Sequence, residues 1–217
     1  MIDHDKKFVF LQIPKTGSDS ICNCLLKFLC KKNMMSELSN KSIFGGCGHH
    51  SNLEELVNQT NQTFEDYFIF TIVRNPFDRV LSEYTYIPKY LAKIESGEIR
   101  RICNNLNGYS VESFRDKFPT FTSYVKNIPE IIFLNGHGRP QYSYVRYKKP
   151  DFIGRFENLQ EDFDTICDKI GIPKQQLPHL NKTKHKHYTE YYDDETREIV
   201  AKKYAKDIEY FGYEFRE

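Results

Sequence analysis

Tryptophan is absent from this chain, and no apolar run is long enough to cross a bilayer. An excess of charge of either sign is missing too: 31 basic and 30 acidic side chains leave a formal net charge of +1. That balance excludes the broad basic footprint of a general nucleic-acid binder. The lack of tryptophan removes one common stacking platform for sugars, although 15 tyrosines keep aromatic stacking available. No signal-peptide pattern precedes the first strand-like run. The six cysteines (Cys22, Cys24, Cys30, Cys47, Cys103 and Cys167) show no paired metal-ligand spacing. Reduced thiols in a cytoplasmic chain are the expectation, with the sequons at Asn40, Asn58, Asn61 and Asn181 as chance matches. His185 and His187 stand in a basic stretch with no further ligands for a metal. Arg100-Arg101, Lys148-Lys149 and Lys182–His187 are solvated surface by default, with guidance of an anionic ligand as the alternative. With no internal repeat or linker, 217 residues suit a single domain over 1–217.

The nucleotide loop G-x-x-x-x-G-K-[ST] is another absence. In its place stand two shorter signatures. Phe8–Ile13 is an apolar run of buried-strand type, stopped by Pro14 and followed by Lys15-Thr16-Gly17-Ser18. Apolar positions at Ile21, Leu25, Phe28 and Leu29 then take helical spacing. Gly17 permits close backbone approach to a ligand. Lys15 stands where an ammonium reaches an anion at the helix N-terminus, and Thr16, Ser18 and Ser20 add hydroxyls. A turn with a surface lysine and a capping serine is the plainer alternative. The second signature is Phe68–Val73, then Arg74-Asn75-Pro76-Phe77-Asp78-Arg79, then a helical pattern carrying Ser82. Arg74 ends a strand, where open α/β sheets place ligands, and Pro76 suits a first helical turn. An arginine fork and the Ser82 hydroxyl form one set of anion ligands. An Arg74–Asp78 ion pair is the competing reading, and Arg79 is expected to be a solvated or structural charge rather than a ligand.

Asp151–Phe156 is a third strand, and Glu130–Leu134 a shorter candidate. Helices are expected at Lys89–Arg101, Val111–Val125, Asn158–Ile170 (closed by Gly171) and Asp194–Glu209. Strands alternating with helices specify an α/β fold with a parallel sheet and crossover helices.

These motifs together resemble the sulfotransferase superfamily. Pro14-Lys15-Thr16-Gly17-Ser18 is similar to its 5′-phosphosulfate loop. Arg74-Asn75-Pro76-Phe77-Asp78-Arg79 with Ser82-Glu83-Tyr84 is similar to its 3′-phosphate motif. The likeness is closer to the branch of Golgi carbohydrate 2-O- and 4-O-sulfotransferases and their bacterial relatives. It extends to Gly154-Arg155-Phe156-Glu157-Asn158-Leu159 and to Leu180-Asn181-Lys182-Thr183. The resemblance implies a P-loop-like parallel β-sheet flanked by helices. It implies 3′-phosphoadenosine 5′-phosphosulfate as donor, no metal, and a hydroxyl acceptor, expected to be a carbohydrate. It gives Lys15 the bridging oxygen and sulfonate, and Arg74 and Ser82 the 3′-phosphate. The segment around 88–128 would cover the acceptor side. Asp19 departs from the loop pattern, which has a small or hydroxyl residue there.

Transfer to a hydroxyl requires a proton acceptor, and imidazole is the usual one. Gly45-Gly46-Cys47-Gly48-His49-His50-Ser51 offers two. His49 is the first choice and His50 the second, with the Glu54 carboxylate behind them. Two other readings share the motifs: a small-molecule kinase on the same fold, and a non-catalytic protein that keeps only the donor site.

Overall fold

The computed structural model describes residues 1–29, 50–98, 109–127, 137–178 and 186–216. Period-two alternation in two strands organises the first of two compact units, formed by Met1–Arg74 and Gln141–Leu180. Phe8 and Phe10 of β2 (Phe8–Leu11) and Phe70 and Ile72 of β3 (Phe68–Val73) share one face of the sheet. They bury against Ile21 and Leu25 of α1 (Ser18–Leu29) and Phe163 and Ile166 of α7 (Leu159–Ile170). Val9, Leu11 and Ile69 point to the other face and meet Leu53 and Leu56 of α2 (Leu53–Thr60). Both faces of the sheet are thus covered, which is why its strands read as near-continuous apolar runs. The rings of Phe10 and Phe70 stack at 4.8 Å across neighbouring strands.

The sheet has four strands, Ile2–Asp3 (β1), β2, β3 and Phe152–Arg155 (β4), neighbours in that order. β2, β3 and β4 (Phe152–Arg155) run parallel, in a register that pairs Phe8 with Phe68 and Val73 with Arg155. This is the expected parallel core. The two-residue β1 (Ile2–Asp3) adds an antiparallel edge that its length hides from periodicity. The observed β3 has the expected bounds, and β2 and β4 are shorter than their apolar runs. The proposed strand at Glu130–Leu134 lies outside the described residues.

The second unit comprises Asn75–Pro140 and Asn181–Glu217. Its frame is α3 (Pro76–Glu95), opened by the Asn75 side chain, which accepts from the Phe77 N–H at 3.0 Å. α3 runs through Pro88 rather than restarting near Lys89, so one intrahelical donor is missing mid-helix. The stretch expected as one helix from Val111 is two, α4 (Val111–Lys117) and α5 (Phe121–Lys126), because Pro119 interrupts it. The terminal helix is also divided, into α8 (Asp194–Lys203) and α9 (Ala205–Phe211). Tyr204 leaves helical geometry at the break and is buried. A core rich in aromatic rings, including Phe77, Phe114, Phe121, Tyr124 and Tyr188, holds these helices together. Burial holds the Tyr204 phenol up at about 12.

Arg79 lies in this unit, and of the solvated and structural alternatives it takes the structural one. Its guanidinium is buried, and Nη2 donates to the carbonyls of His137 at 2.6 Å and Arg139 at 2.9 Å. Beside it the His137 ring pairs with the buried Glu83 carboxylate at 2.8 Å.

Gly154 sets how closely α7 lies on the sheet in the first unit. A Cβ there would fall 2.6 Å from Ile72 Cδ1 and 3.0 Å from Asp162 Cβ. Asp162 is fixed as well, since its Oδ2 accepts from the Arg155 N–H at 2.5 Å. Gly154→Ala should destabilise the protein by about 1–3 kcal/mol, the usual cost of overpacking. A urea midpoint equal to that of the wild type would show that α7 sits further from the sheet.

Candidate active site

The donor-loop residues follow directly from the end of β2. Thr16 is wholly buried, and its hydroxyl donates to the Ile13 carbonyl at 2.9 Å. That bond closes the turn and engages the one hydrogen of the hydroxyl within the loop. Lys15 takes a left-handed φ of 65°, unusual for a residue with a side chain. Gly17 follows at φ 82°, where glycine is at ease. Ser18 and Ser20 lie buried in the first turn of α1. A helix start leaves several N–H groups without intrahelical partners and favours negative charge. Asp19 is exposed on that turn.

Arg74 stands one residue past β3. Its Nη1 donates to the Lys15 carbonyl at 3.1 Å. The guanidinium carbon lies 3.9 Å from the centre of the Phe156 ring. The left-handed turn at Lys15 is therefore held by the arginine of the second motif. The same ring closes the other side of the loop: a Cβ on Gly17 would meet Phe156 Cδ2 at 3.3 Å and Leu159 Cδ2 at 2.7 Å. Three separate segments, Pro14–Ser18, Arg74 and Phe156–Leu159, thus pack as one assembly. The physical part of the third is to carry a ring between a guanidinium and a glycine.

The Arg74 backbone has a further partner that no motif announced. The Arg74 N–H donates to Gln141 Oε1 at 2.9 Å, and Gln141 Nε2 donates to the Arg74 carbonyl at 2.8 Å. Gln141 has no exposed surface. Nothing at 141 marks it in the sequence: it is one glutamine, 67 positions from its partner.

Of the two histidines, His49 lies outside the described residues. His50 is half-buried, and its Nδ1 stands 2.9 Å from the Gln12 carbonyl, three residues before Lys15. A carbonyl can only accept, so Nδ1 carries hydrogen and the neutral ring keeps its lone pair on Nε2. Glu54, the fallback carboxylate, stands 3.6 Å from Arg146 in a solvated ion pair. Ser82 is buried on α3 in the second unit. The Leu180–Thr183 segment lies outside the described residues.

A strand, a lysine-bearing turn, a helix start and an arginine stacked on a ring form an arrangement that can chemically take an anion. The comparison with known proteins agrees with that class: the sulfotransferase family model matches residues 1–214, and the chain belongs to that family. Among individual relatives, it is 27% identical over 240 residues to carbohydrate sulfotransferase 14 of Danio rerio, covering 98% of this chain and 61% of the relative. Human carbohydrate sulfotransferase 9 is 27% identical over 171 residues, covering 55% and 37% of the two chains. An uncharacterised protein of Archaeoglobus fulgidus is 28% identical over 123 residues, 54% of this chain and 79% of that one. The chain therefore spans less than two thirds of the length of both named relatives.

Gly17→Ala combines a strained φ with contacts under the ordinary limit. It should cost about 1–3 kcal/mol and displace the Phe156 ring from Arg74. Thermal unfolding checks the first effect. An unchanged melting temperature would mean that the loop does not lie on Phe156 and Leu159.

Proposed function

We propose that this chain transfers a sulfuryl group from 3′-phosphoadenosine 5′-phosphosulfate to a hydroxyl of a carbohydrate. The single observation that carries the reading is the bond from Arg74 to the Lys15 carbonyl. It makes one physical unit of the two segments that resemble the donor's 5′ and 3′ motifs. Family membership supports the donor, and the names of two relatives support a carbohydrate acceptor.

Lys15, Gly17, Ser18 and Ser20 would surround the 5′-phosphosulfate, with the start of α1 supplying N–H groups and a favourable dipole. Arg74 would hold the 3′-phosphate, with Ser82 as its partner by resemblance. The acceptor oxygen attacks sulfur as the sulfur–oxygen bond to the 5′-phosphate breaks. Lys15 stabilises the charge that develops on the departing phosphate oxygen, an interaction that strengthens in the transition state. His50 takes the hydroxyl proton at Nε2. Its Nδ1 bond to Gln12 supports this assignment, because it orients the ring and sets the tautomer a base needs. His49 remains the alternative base. The reduced, cytoplasmic setting inferred from the cysteines belongs to the same proposal. Cys22, Cys24 and Cys167 are free thiols, and burial pushes Cys22 up to about 12 and Cys167 up to about 11. Among the described residues, no helix is long and apolar enough to cross a membrane.

The test is transfer of labelled sulfur from the donor to a panel of carbohydrates. Transfer to a hydroxyl supports the proposal. Donor binding without consumption would make the chain a binding protein, and phosphate transfer from ATP with Mg²⁺ would make it a kinase.

Arg74→Ala should weaken binding of adenosine 3′,5′-bisphosphate by about tenfold or more, since a charge-assisted bond contributes about 1.5–3 kcal/mol. Adenosine 5′-phosphate, which lacks the 3′-phosphate, should lose less. It will not be untouched, because Arg74 also holds the Lys15 carbonyl. Isothermal titration of both ligands gives the ratio, and equal losses would remove Arg74 from the 3′-phosphate.

His50→Ala should lower turnover by about 10²–10⁴-fold with donor affinity preserved. The pH–rate profile should lose an ionisation near neutrality. A full loss in His49→Ala with near-normal turnover in His50→Ala would transfer the role to His49.

A further inference from the structure

We infer that Gln141 is a positioning residue for Arg74 and sets how strongly the protein discriminates for a 3′-phosphate. This inference rests on the reading of Arg74 as the 3′-phosphate ligand. The register of β3 with β2 runs from Phe68 to Thr71, and its register with β4 ends at the Val73–Arg155 pair. Arg74 therefore lies past the last paired residue on both sides, where a backbone N–H and C=O must find other partners. The Gln141 carboxamide supplies both, at 2.9 and 2.8 Å. Since the Arg74 N–H needs an acceptor and its C=O a donor, only one orientation of the amide fits.

A buried polar side chain is favourable only when its hydrogen bonds are made. Gln141 has no exposed surface and makes both of these to a single residue. The effect is to extend the strand by one residue without a neighbouring strand. That residue carries the guanidinium that grips the Lys15 carbonyl and lies on Phe156. Two φ/ψ angles at Arg74 decide where a long side chain ends, so a small backbone rotation moves the fork by far more. An isolated strand end would leave those angles soft, and the carboxamide fixes them. In this way Gln141 fixes where the fork sits, while Phe156 and Lys15 fix its plane.

Two variants separate positioning from bulk stability. Gln141→Met keeps length and volume but removes both bonds. Gln141→Glu keeps the acceptor for the Arg74 N–H and replaces the donor by a carboxylate oxygen facing the Arg74 carbonyl. Protonating that carboxyl restores a donor. The readout is the ratio of affinities for adenosine 3′,5′-bisphosphate and adenosine 5′-phosphate, measured by titration below each variant's melting temperature. Gln141→Met should lower the ratio by roughly tenfold, while adenosine 5′-phosphate alone changes severalfold at most. Gln141→Glu should show the same loss at high pH. Relative to wild type at each pH, it should recover as pH falls and the carboxyl gains its proton. If Gln141→Met does not fold, the pH dependence of Gln141→Glu decides the matter alone. A ratio that holds in the Gln141 variants but collapses in Arg74→Ala overturns the positioning role and leaves the site reading intact. A ratio that holds in Arg74→Ala as well overturns that reading, and the inference with it.

Discussion

A carbonyl held by a guanidinium is the constraint from which the rest of the first unit can be followed. Lys15 turns left-handed, and the Arg74 fork takes up the carbonyl oxygen that the turn presents at 3.1 Å. For that contact to exist, β2 and β3 must be adjacent and parallel, so that both strands end at one edge of the sheet. The guanidinium needs a face to lie on, and Phe156, one residue past β4, supplies it. The backbone of Arg74 needs partners past the end of the ladder, and Gln141 supplies those. Each requirement recruits another segment. The result is a site assembled from several stretches of chain, none of which forms it alone.

The two units divide the polar labour of the arginines. Arg74 and Arg79 lie five residues apart in one motif, yet their surroundings differ in kind. Arg74 is stacked on a ring at the end of a strand, a geometry suited to a planar fork. Arg79 is enclosed on α3 and directed at two backbone carbonyls, which ties residues 137 and 139 to that helix. One serves recognition in the proposed mechanism and the other serves the fold. Charge and spacing in the sequence are the same kind of signal for both, and both are buried, so their partners tell them apart.

Much of this was legible from residue order. The runs at Phe8 and Phe68 disclosed strands because both faces of the sheet are covered and both need apolar side chains. Pro14 and Gly17 disclosed the turn, and Pro76 the helix start, through rules local to a few residues. Legibility failed where the cause was distant. β1 is two residues long and exists through its pairing with β2. Pro119 divides a helical pattern that its apolar spacing presents as continuous, and Tyr204 leaves its helix to bury a ring. The carboxamide of Gln141 and the ring of Phe156 matter because of residues far away in sequence, and composition carries no such information. The His49–His50 ambiguity is of the same origin: what orients His50 is a carbonyl on another segment, at Gln12.

The φ of 65° at Lys15 has a consequence for how the site responds to selection. A left-handed residue with a Cβ costs about 1 kcal/mol or more relative to glycine. A search for thermostable variants of this protein would therefore favour glycine or asparagine at position 15, discarding the ammonium to relieve the backbone. Stability and chemistry pull in opposite directions at that one position. A screen blind to activity would mark the donor loop as a place for improvement, and its preferred substitutions would outline the functional centre from the opposite side.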